Sequence, residues 1–228
     1  ALGCDLVLLA RKPDALEQAK DLVLKRHPLR KVELISADVA DASDRERAVN
    51  QLRGELSGPL PILINNAGFN IRKRVEDLSL SEYLRVQEVN LVSCFEFCRL
   101  LHPKLLQSTP AAVVNVASVA GLTHMRTGAP YGMSKAAMIQ LTKNLAVEWA
   151  EQGIRVNAVA PWYIDTPLAK QVLKDDAYRQ AVLDRTPMKR IGSVEECAAA
   201  IAFLCLPAAS YITGHCLTVD GGFSVFGF

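Results

Sequence analysis

The sequence lacks three features that would each indicate a particular class of protein. Its longest apolar run, Cys197 to Leu206, stops at Pro207 and is too short to cross a bilayer. With 26 basic and 24 acidic residues the formal net charge is only +2, and no dense basic segment suggests a nucleic-acid partner. The six cysteines include no Cys-x-x-Cys pair. These absences argue against a membrane-spanning protein, a nucleic-acid-binding protein and a zinc-type cysteine site.

Cys94 and Cys98 lie one helical turn apart and could hold a metal ion only if two further ligands converged on them. Buried, reduced thiols are the preferred interpretation, and they fit a reducing compartment. We therefore predict no metal site and a cytoplasmic location. The sequence also shows no signal peptide, internal repeat or low-complexity tract.

The length and composition describe one globular domain spanning residues 1–228, with 50% hydrophobic and 22% charged residues. Short strand-like runs alternate with helical patterns, which predicts an α/β fold with a doubly wound parallel sheet. The predicted strands are Asp5–Leu9, Val32–Ser36, Ile62–Ile64, Ala112–Val116, Arg155–Val159 and Cys216–Val219. The predicted helices are Pro13–Arg26, Arg45–Leu56, Ser81–Leu106, Tyr131–Gln152 and Val194–Leu204.

Tyr131 and Lys135 are four residues apart, a spacing that puts both side chains on one face of a helix. A tyrosine hydroxyl titrates near pH ~10, too high for a proton donor that must recycle at neutral pH. An ammonium at about 4 Å would stabilise the phenolate by roughly 4 kcal/mol, equivalent to about three pKa units. Ser118 follows a strand-like run, and open α/β sheets bind ligands at the carboxyl ends of their strands.

The Tyr-x-x-x-Lys spacing also occurs by chance on solvated helices, so its neighbours matter. Asn65-Asn-Ala-Gly68 follows an apolar run, Asn90 lies in a helix-like segment, and Pro161-Trp-Tyr-Ile-Asp-Thr166 follows another strand. With these residues the sequence resembles the short-chain dehydrogenase/reductase family along its whole length. The resemblance implies a catalytic tetrad made by Asn90, Ser118, Tyr131 and Lys135.

Two segments are most similar to the tropinone-reductase-like branch of that family: Pro161–Leu168 and the ending Pro207–Phe228. Family members usually have Pro-Gly where Pro161-Trp162 stands, so Trp162 could narrow the pocket or change its entrance. His124 could face substrate or be a surface residue. The stretch from Pro161 to Ile191 is predicted to be irregular; the resemblance implies that it covers the substrate, and the alternative is a surface excursion.

The family's cofactor site begins with a strand, a glycine-rich turn and a helix amino terminus that holds the pyrophosphate. This sequence has no such turn; Ala1-Leu-Gly3 is interpreted as the end of that helix and Asp5–Leu9 as the second strand. We therefore expect that one N-terminal βα unit of about thirty residues is missing. A fragment of a complete enzyme is preferred over a naturally truncated protein, and an organelle address in the missing part stays open.

The residues after the second strand favour NADPH as cofactor. An NAD-preferring site usually has a carboxylate there, whereas Arg11 can bind a 2′-phosphate bidentately, unless it is an ordinary surface cation. By resemblance, Asp38 and Val39 contact the adenine, although Asp38 could equally be a turn residue. The other cofactor-binding residues that the resemblance implies are Asn66, Ala67, Gly68, Tyr131, Lys135, Ile164 and Thr166.

Together these features predict an NADPH-dependent enzyme that reduces a ketone to an alcohol or catalyses the reverse oxidation. By resemblance, Tyr131 donates the proton and Ser118 binds the carbonyl oxygen. Lys135 lowers the pKa of Tyr131 and binds the nicotinamide ribose, and Asn90 holds a water. The alternative is a non-catalytic, truncated relative kept for subunit pairing. The expected partners are a small-molecule carbonyl substrate and copies of the same chain in a homodimer or homotetramer, without nucleic acid or membrane.

Overall fold

Strands and helices alternate along the chain, and every strand pairing is parallel, which confirms the predicted α/β class. The structure is a computed structural model and describes residues 3–54 and 58–227. Contacts group the chain into two compact units, Ala1–Gly58 and Pro59–Phe228. The single domain remains a prediction, and each unit is treated by itself below.

The first unit contains β1 (Leu6–Ala10), α1 (Pro13–Arg26), β2 (Val32–Ser36) and α2 (Ala42–Arg53). Strand β1 pairs with β2 in parallel, with Ala10 opposite Ser36. Helix α2 begins one turn before the predicted start, because the Asp41 side chain accepts a hydrogen bond from the Asp44 backbone N–H and caps the helix there. The predicted end of that helix at Leu56, like Ala1 and Leu2, lies outside the described residues.

The second unit has a four-stranded parallel sheet in the order β3-β4-β5-β6. Its strands are β3 (Ile62–Asn65), β4 (Ala111–Val116), β5 (Ile154–Pro161) and β6 (Cys216–Val219). Its helices are α3 (Leu80–Gln87), α4 (Ser93–Leu106), α5 (Ala129–Glu148), α6 (Pro167–Leu173), α7 (Asp176–Asp184) and α8 (Val194–Cys205). This order runs each strand beside the next one along the chain.

Side chains of the second sheet alternate between two buried layers. Val113 and Val156 pack in a cluster with Met138 of α5 and with residues of α4. Val114 and Val159, one or three positions further along their strands, pack instead against α8. Helices therefore cover both faces of this sheet, as expected for strands that are apolar on both sides.

The predicted helix Ser81–Leu106 is interrupted in the middle. Helices α3 and α4 are joined by a π-helical turn over Glu88–Val92, which contains Asn90. Single π turns inside α-helices occur frequently at functional sites. The periodic pattern of the sequence does not distinguish a π turn from an uninterrupted helix.

The stretch from Pro161 to Ile191, predicted to be irregular, instead contains α6 and α7. Each helix has a side-chain cap: Thr166 accepts a hydrogen bond from the Ala169 N–H, and Asp175 accepts one from the Tyr178 N–H. The prediction was wrong because these helices have only 7 and 9 residues, too few for a long apolar stripe. Among the described residues, no helix is both long and apolar enough to cross a membrane.

Cys94 and Cys98 are free and buried, as predicted. They lie beside the buried amides of Asn65 and Asn115, which hydrogen-bond each other at 2.9 Å, and Asn65 Nδ2 also donates to Cys98 Sγ at 3.3 Å. The neighbouring Cys94 thiol and burial hold the pKa of Cys98 well above its ordinary value. The Cys94 thiol and burial thus both favour the neutral thiol form of Cys98, which is the unreactive form of cysteine.

Candidate active site

Tyr131 and Lys135 lie in the first two turns of α5, and Ser118 lies two residues beyond the end of β4. The Ser118 hydroxyl accepts a hydrogen bond from the Ala120 N–H at 3.1 Å. This contact starts a short 3-10 turn over Val119–Gly121. The turn bends the chain so that Ser118 and the start of α5 approach each other.

Gly121 makes this close approach possible. A Cβ atom at Gly121 would lie 2.6 Å from the Lys135 carbonyl carbon and 2.7 Å from the Ala136 nitrogen, inside the backbone of α5. No side chain fits there unless the helix moves. The glycine in Ser118-Val-Ala-Gly therefore sets the distance between the serine turn and the helix of the tyrosine and lysine.

We expect Gly121→Ala to destabilise the protein by about 1–3 kcal/mol, the usual cost of overpacking. It should also lower activity, because relief of the clash displaces Lys135. Chemical denaturation and turnover of the same preparation give the two values. Gly58→Ala is the control, since a Cβ at Gly58 meets nothing within 4 Å. Equal stability of the two variants would contradict the close packing of the turn on α5.

Lys135 is a buried cation, with a side-chain nitrogen fixed by the backbone of β4. Its Nζ donates to the Val116 carbonyl at 2.7 Å and lies 5.8 Å from the centre of the Tyr131 ring. The residue is 2% exposed, and this burial lowers the pKa of Lys135 to about 8. At neutral pH the amine therefore still carries its charge, but burial makes that charge costly.

Burial raises the pKa of Tyr131, while a hydrogen bond with Ser118 and the charge of Arg72 lower it in part. The expectation that Lys135 brings the pKa of Tyr131 close to neutrality is wrong for this structure. The physical reason is that the Val116 carbonyl holds the Lys135 ammonium. In addition, burial disfavours the phenolate more than Ser118 and Arg72 together favour it. Tyr131 is consequently a neutral phenol at physiological pH, with a proton available to donate.

We expect Lys135→Met to stabilise the protein at neutral pH. Because the pKa of Lys135 is lower in the folded chain, its buried charge destabilises the fold fully below pH 8, and stability recovers as the pH rises from about 8 to 10.5. The shift corresponds to about 3 kcal/mol, and the unpaired Val116 carbonyl of the variant offsets about 1 kcal/mol of that gain.

The free energy of unfolding should therefore be higher in Lys135→Met than in wild type at pH ~7, with the difference shrinking towards pH ~10. Lys143→Met, an exposed change on the same helix, should have little effect at either pH. A variant less stable than wild type at neutral pH would show that the buried ammonium stabilises the fold.

Asn90 is completely buried, and its amide is used to hold the segment after β3. Its Oδ1 accepts from the Phe69 N–H at 2.8 Å, and its Nδ2 donates to the Phe69 carbonyl at 2.9 Å and to Ser134 Oγ at 3.0 Å. The side chain thus connects the π turn, the Asn-Asn-Ala-Gly segment and α5. The predicted role of Asn90 in holding a water remains untested, and its amide atoms are already engaged.

Asn66, Ala67 and Gly68 are exposed and follow β3 at the carboxyl edge of the sheet. A Cβ atom at Gly68 would be in van der Waals contact with Lys135 Nζ and Asn90 Oδ1, both at 4.0 Å. The bare backbone at Gly68 therefore borders the buried lysine. An exposed glycine next to a cation fits a ribose or another polyhydroxyl group, which needs close backbone approach and a hydrogen-bond donor.

The residues after β5 are already engaged by other parts of the chain. Ile164 is 7% exposed and forms a bridge with Gly192, whereas the Thr166 hydroxyl caps α6. Trp162 stacks on Phe223 with 3.7 Å between ring centres and donates from Nε1 to Thr186. The structure thus places Trp162 in an aromatic cluster with the C-terminal segment. His124 is exposed, which favours its interpretation as a surface residue.

In the first unit, Arg11 follows the end of β1 and is 61% exposed, with Nη1 4.0 Å from Asp38 Oδ2. Asp38 also accepts a hydrogen bond from the Ala40 N–H at 3.0 Å, which makes it a turn residue. Val39 is 9% exposed, and its carbonyl accepts from the buried Arg45 guanidinium. An exposed guanidinium at a strand's carboxyl end suits a phosphate ligand.

In the second unit, Asn90 and Lys135 thus border Gly68, and Tyr131 lies between Lys135 and Ser118. Two residues of the loop between β3 and α3 were missed by the sequence analysis. The charge of Arg72 acts on Tyr131, and Asn70 Nδ2 donates to Thr127 Oγ1 at 2.6 Å. The basic run Arg72-Lys-Arg74, which begins four positions after the last residue of Asn-Asn-Ala-Gly, was the available signal.

A family model described as enoyl-(acyl carrier protein) reductase matches residues 1–224. A tropinone reductase homolog of Arabidopsis thaliana is 46% identical over 198 residues, which cover 86% of this chain and 75% of the relative. The chain belongs to the short-chain dehydrogenase/reductase family. Within this family it belongs to the tropinone-reductase-like branch, as the sequence motifs predict.

Solved structures of other family members have the same fold. Levodione reductase superposes with a TM-score of 0.93 at 31% identity, covering 99% of this chain and 90% of that one. A gluconate 5-dehydrogenase from Burkholderia cenocepacia, in complex with NADP and tartrate, superposes with a TM-score of 0.89 at 28% identity. This match covers 97% of this chain and 86% of that one. The chain is therefore an oxidoreductase of Rossmann-type fold, and such relatives indicate a nicotinamide cofactor.

Proposed function

We propose that this short-chain dehydrogenase/reductase catalyses NADPH-dependent reduction of a ketone to an alcohol, and the reverse oxidation. The observation that carries the proposal is the cluster of Ser118, Tyr131 and Lys135 in the second unit, in which Lys135 borders Gly68. Tyr131 is a neutral phenol, and the neighbouring Ser118 hydroxyl lowers the pKa of Tyr131 in part. A proton donor and a second hydroxyl side by side are what a carbonyl oxygen needs as it gains negative charge.

When bound, NADPH would supply the hydride. In the second unit, Asn66, Ala67 and Gly68 would lie along the adenosine and ribose, Lys135 would bind the nicotinamide ribose, and Ile164 and Thr166 would meet the carboxamide. Support for NADPH over NADH comes from Arg11, whose guanidinium can bind a 2′-phosphate, and from the absence of a carboxylate at Ala10.

The proton path follows from the groups on the chain. Ser118 orients the carbonyl oxygen, and Tyr131 transfers its phenolic proton to that oxygen. The Lys135 ammonium, 5.8 Å from the tyrosine ring, stabilises the phenolate that remains. Asn90 is a positioning residue, because its amide holds Phe69 and Ser134 around the site. A water linking Lys135 to solvent for reprotonation belongs to this proposal as well.

Assembly and compartment belong to the same proposal. Exposed apolar side chains on α4 and α5 suit subunit pairing in a homodimer or homotetramer: Phe95, Leu106, Met133 and Val147. A cytoplasmic location stays a prediction. Analytical ultracentrifugation of the full chain measures the assembly directly.

The proposed function is tested by following NADPH oxidation with a panel of ketones, and with NADH in parallel. Deuterium from labelled NADPH should appear on the alcohol carbon of the product. Binding of NADPH without turnover of any ketone or alcohol would favour the alternative, a non-catalytic relative kept for subunit pairing. No binding of either cofactor by the chain extended with the expected N-terminal βα unit would refute the proposal.

A further inference from the structure

The loop between β3 and α3 contains two polar side chains that the proposed reaction does not use. In the two described ranges, three side-chain atoms are buried without a hydrogen-bond partner, and two of them are Asn70 Oδ1 and Arg72 Nε. A buried polar group left unpaired destabilises the fold, because it has lost its hydration without gaining a hydrogen bond. Two such atoms on one short loop indicate a partner that the loop does not supply for itself.

This loop is fixed against the beginning of the catalytic helix. The backbone of Gly128 has a φ of +91°, and a Cβ there would lie 2.7 Å from the Ile71 carbonyl oxygen and 3.8 Å from the Arg72 Cα. Only a glycine accommodates both the positive φ and this approach. Gly128 caps α5 three residues before Tyr131, so Arg72 is held beside the proton donor.

On its other side, Arg72 faces the segment after β5. Its Nη1 donates to the exposed amide of Gln171 on α6 at 3.3 Å, a long hydrogen bond. The charge of Arg72 lowers the pKa of Tyr131 and also that of Tyr163, although burial raises both values overall. Arg72 therefore lies within electrostatic reach of two tyrosines, between the catalytic helix and α6.

Arg72 has no acidic partner in the part of the chain that the structure describes, whereas the two basic residues that follow it each form an ion pair. Lys73 pairs with Glu82, and Arg74 pairs with Glu76. The Nε–H and Nη2–H groups of a guanidinium point to the same side and form the two-donor edge that a carboxylate binds, and on Arg72 the Nε of that edge is unpaired. The chemistry points to an anion next to Tyr131.

We propose that Arg72 binds a carboxylate of the substrate, so that the enzyme acts on oxo acids. This inference rests on the proposed carbonyl reduction and names its substrate class. The carboxylate bridges Arg72 Nε and Nη2 while the ketone oxygen meets Tyr131 and Ser118. Asn70 Oδ1 offers an acceptor beside it for a hydroxyl of the same substrate.

The test compares oxo acids with their methyl esters, which lack the charge that Arg72 would bind and carry one additional methyl group. With acetoacetate, levulinate and both methyl esters as substrates, Arg72→Met should raise the KM of the acids at least about tenfold, the loss of one charged hydrogen bond. The KM of the esters and the Kd of NADPH should change little. Arg72→Lys should restore part of the preference for the acid, because lysine keeps the charge without the two-donor edge.

Arg74→Met is the matched control, since Arg74 lies two residues away, is exposed and pairs with Glu76. Arg74→Met should leave the KM of the acids and of the esters unchanged. The proposal is overturned if Arg72→Met raises the KM of acids and esters equally, because Arg72 would then act on the tyrosine. It is overturned as well if the substitution weakens NADPH binding, because Arg72 would then bind the cofactor. It is also overturned if wild type reduces neutral ketones but neither binds nor reduces the oxo acids.

Calorimetric binding of levulinate to wild type, Arg72→Met and Arg74→Met separates this proposal from the proposed function. Binding lost only in Arg72→Met, in a protein that reduces no ketone, would support the anion site while refuting carbonyl reduction. Equal binding by all three proteins would overturn the anion site whatever the turnover.

Discussion

Replacing Tyr131 by phenylalanine should lower turnover with NADPH and any accepted ketone by at least about 100-fold, the contribution of a positioned general acid. The change removes the phenolic proton and keeps the ring. The free energy of unfolding should fall by no more than about 1 kcal/mol, the worth of the hydrogen bond with Ser118. Steady-state kinetics and denaturant melts of one preparation measure both quantities.

Tyr211→Phe is the control, because Tyr211 is fully exposed and should tolerate loss of its hydroxyl. The pH dependence gives a second check on the wild type. Since Tyr131 stays neutral while the pKa of Lys135 is about 8, kcat/KM for reduction should fall as the pH rises above that value. Turnover of Tyr131→Phe close to that of wild type would remove the tyrosine from the mechanism.

Replacing Arg11 by alanine should weaken NADPH binding by about 10- to 100-fold, since a hydrogen bond to a charged group contributes roughly 1.5–3 kcal/mol. NADH lacks the 2′-phosphate and should bind nearly as before. Stability should hardly change, because the pair with Asp38 is exposed and long at 4.0 Å. Dissociation constants of both cofactors, measured at one salt concentration, give the comparison.

Arg26→Ala, an exposed change at the end of α1, controls for the loss of one positive charge from the same unit. Ala10→Asp should act from the opposite direction, because a carboxylate repels the phosphate and accepts hydrogen bonds from ribose hydroxyls. If Arg11→Ala weakened NADPH and NADH equally, Arg11 would be a structural cation and the preference for NADPH would lose its support.

Much of the fold could be predicted from local pattern. Strand β2, helix α1 and strand β6 have the predicted bounds, and the remaining strands differ from prediction by one or two residues at an end. The periodic apolar residues that decide these elements are also the ones that pack in the two layers of the second sheet. For these elements the local pattern and the tertiary packing agree, so the sequence is enough to predict where they lie.

The differences lie where local side chains act without periodicity. Asp41 starts α2 earlier, and Thr166 and Asp175 start the short helices α6 and α7, because each side chain satisfies a backbone N–H of the first turn. The π turn around Asn90 depends on the amide contacts with Phe69, a residue of a distant segment. No periodic signal marks that contact in the sequence.

The sequence by itself determined the fold class, the family and the four candidate catalytic residues, because residue type and spacing are local properties. The tertiary structure decided what those residues can do. Burial raises the pKa of Tyr131 and lowers that of Lys135, opposite to a simple attraction between neighbours on one helix turn. The tertiary structure also brings Arg72 beside Tyr131, because the loop of Arg72 packs against Gly128. Desolvation and long-range packing depend on every surrounding segment, so no spacing within one segment predicts them.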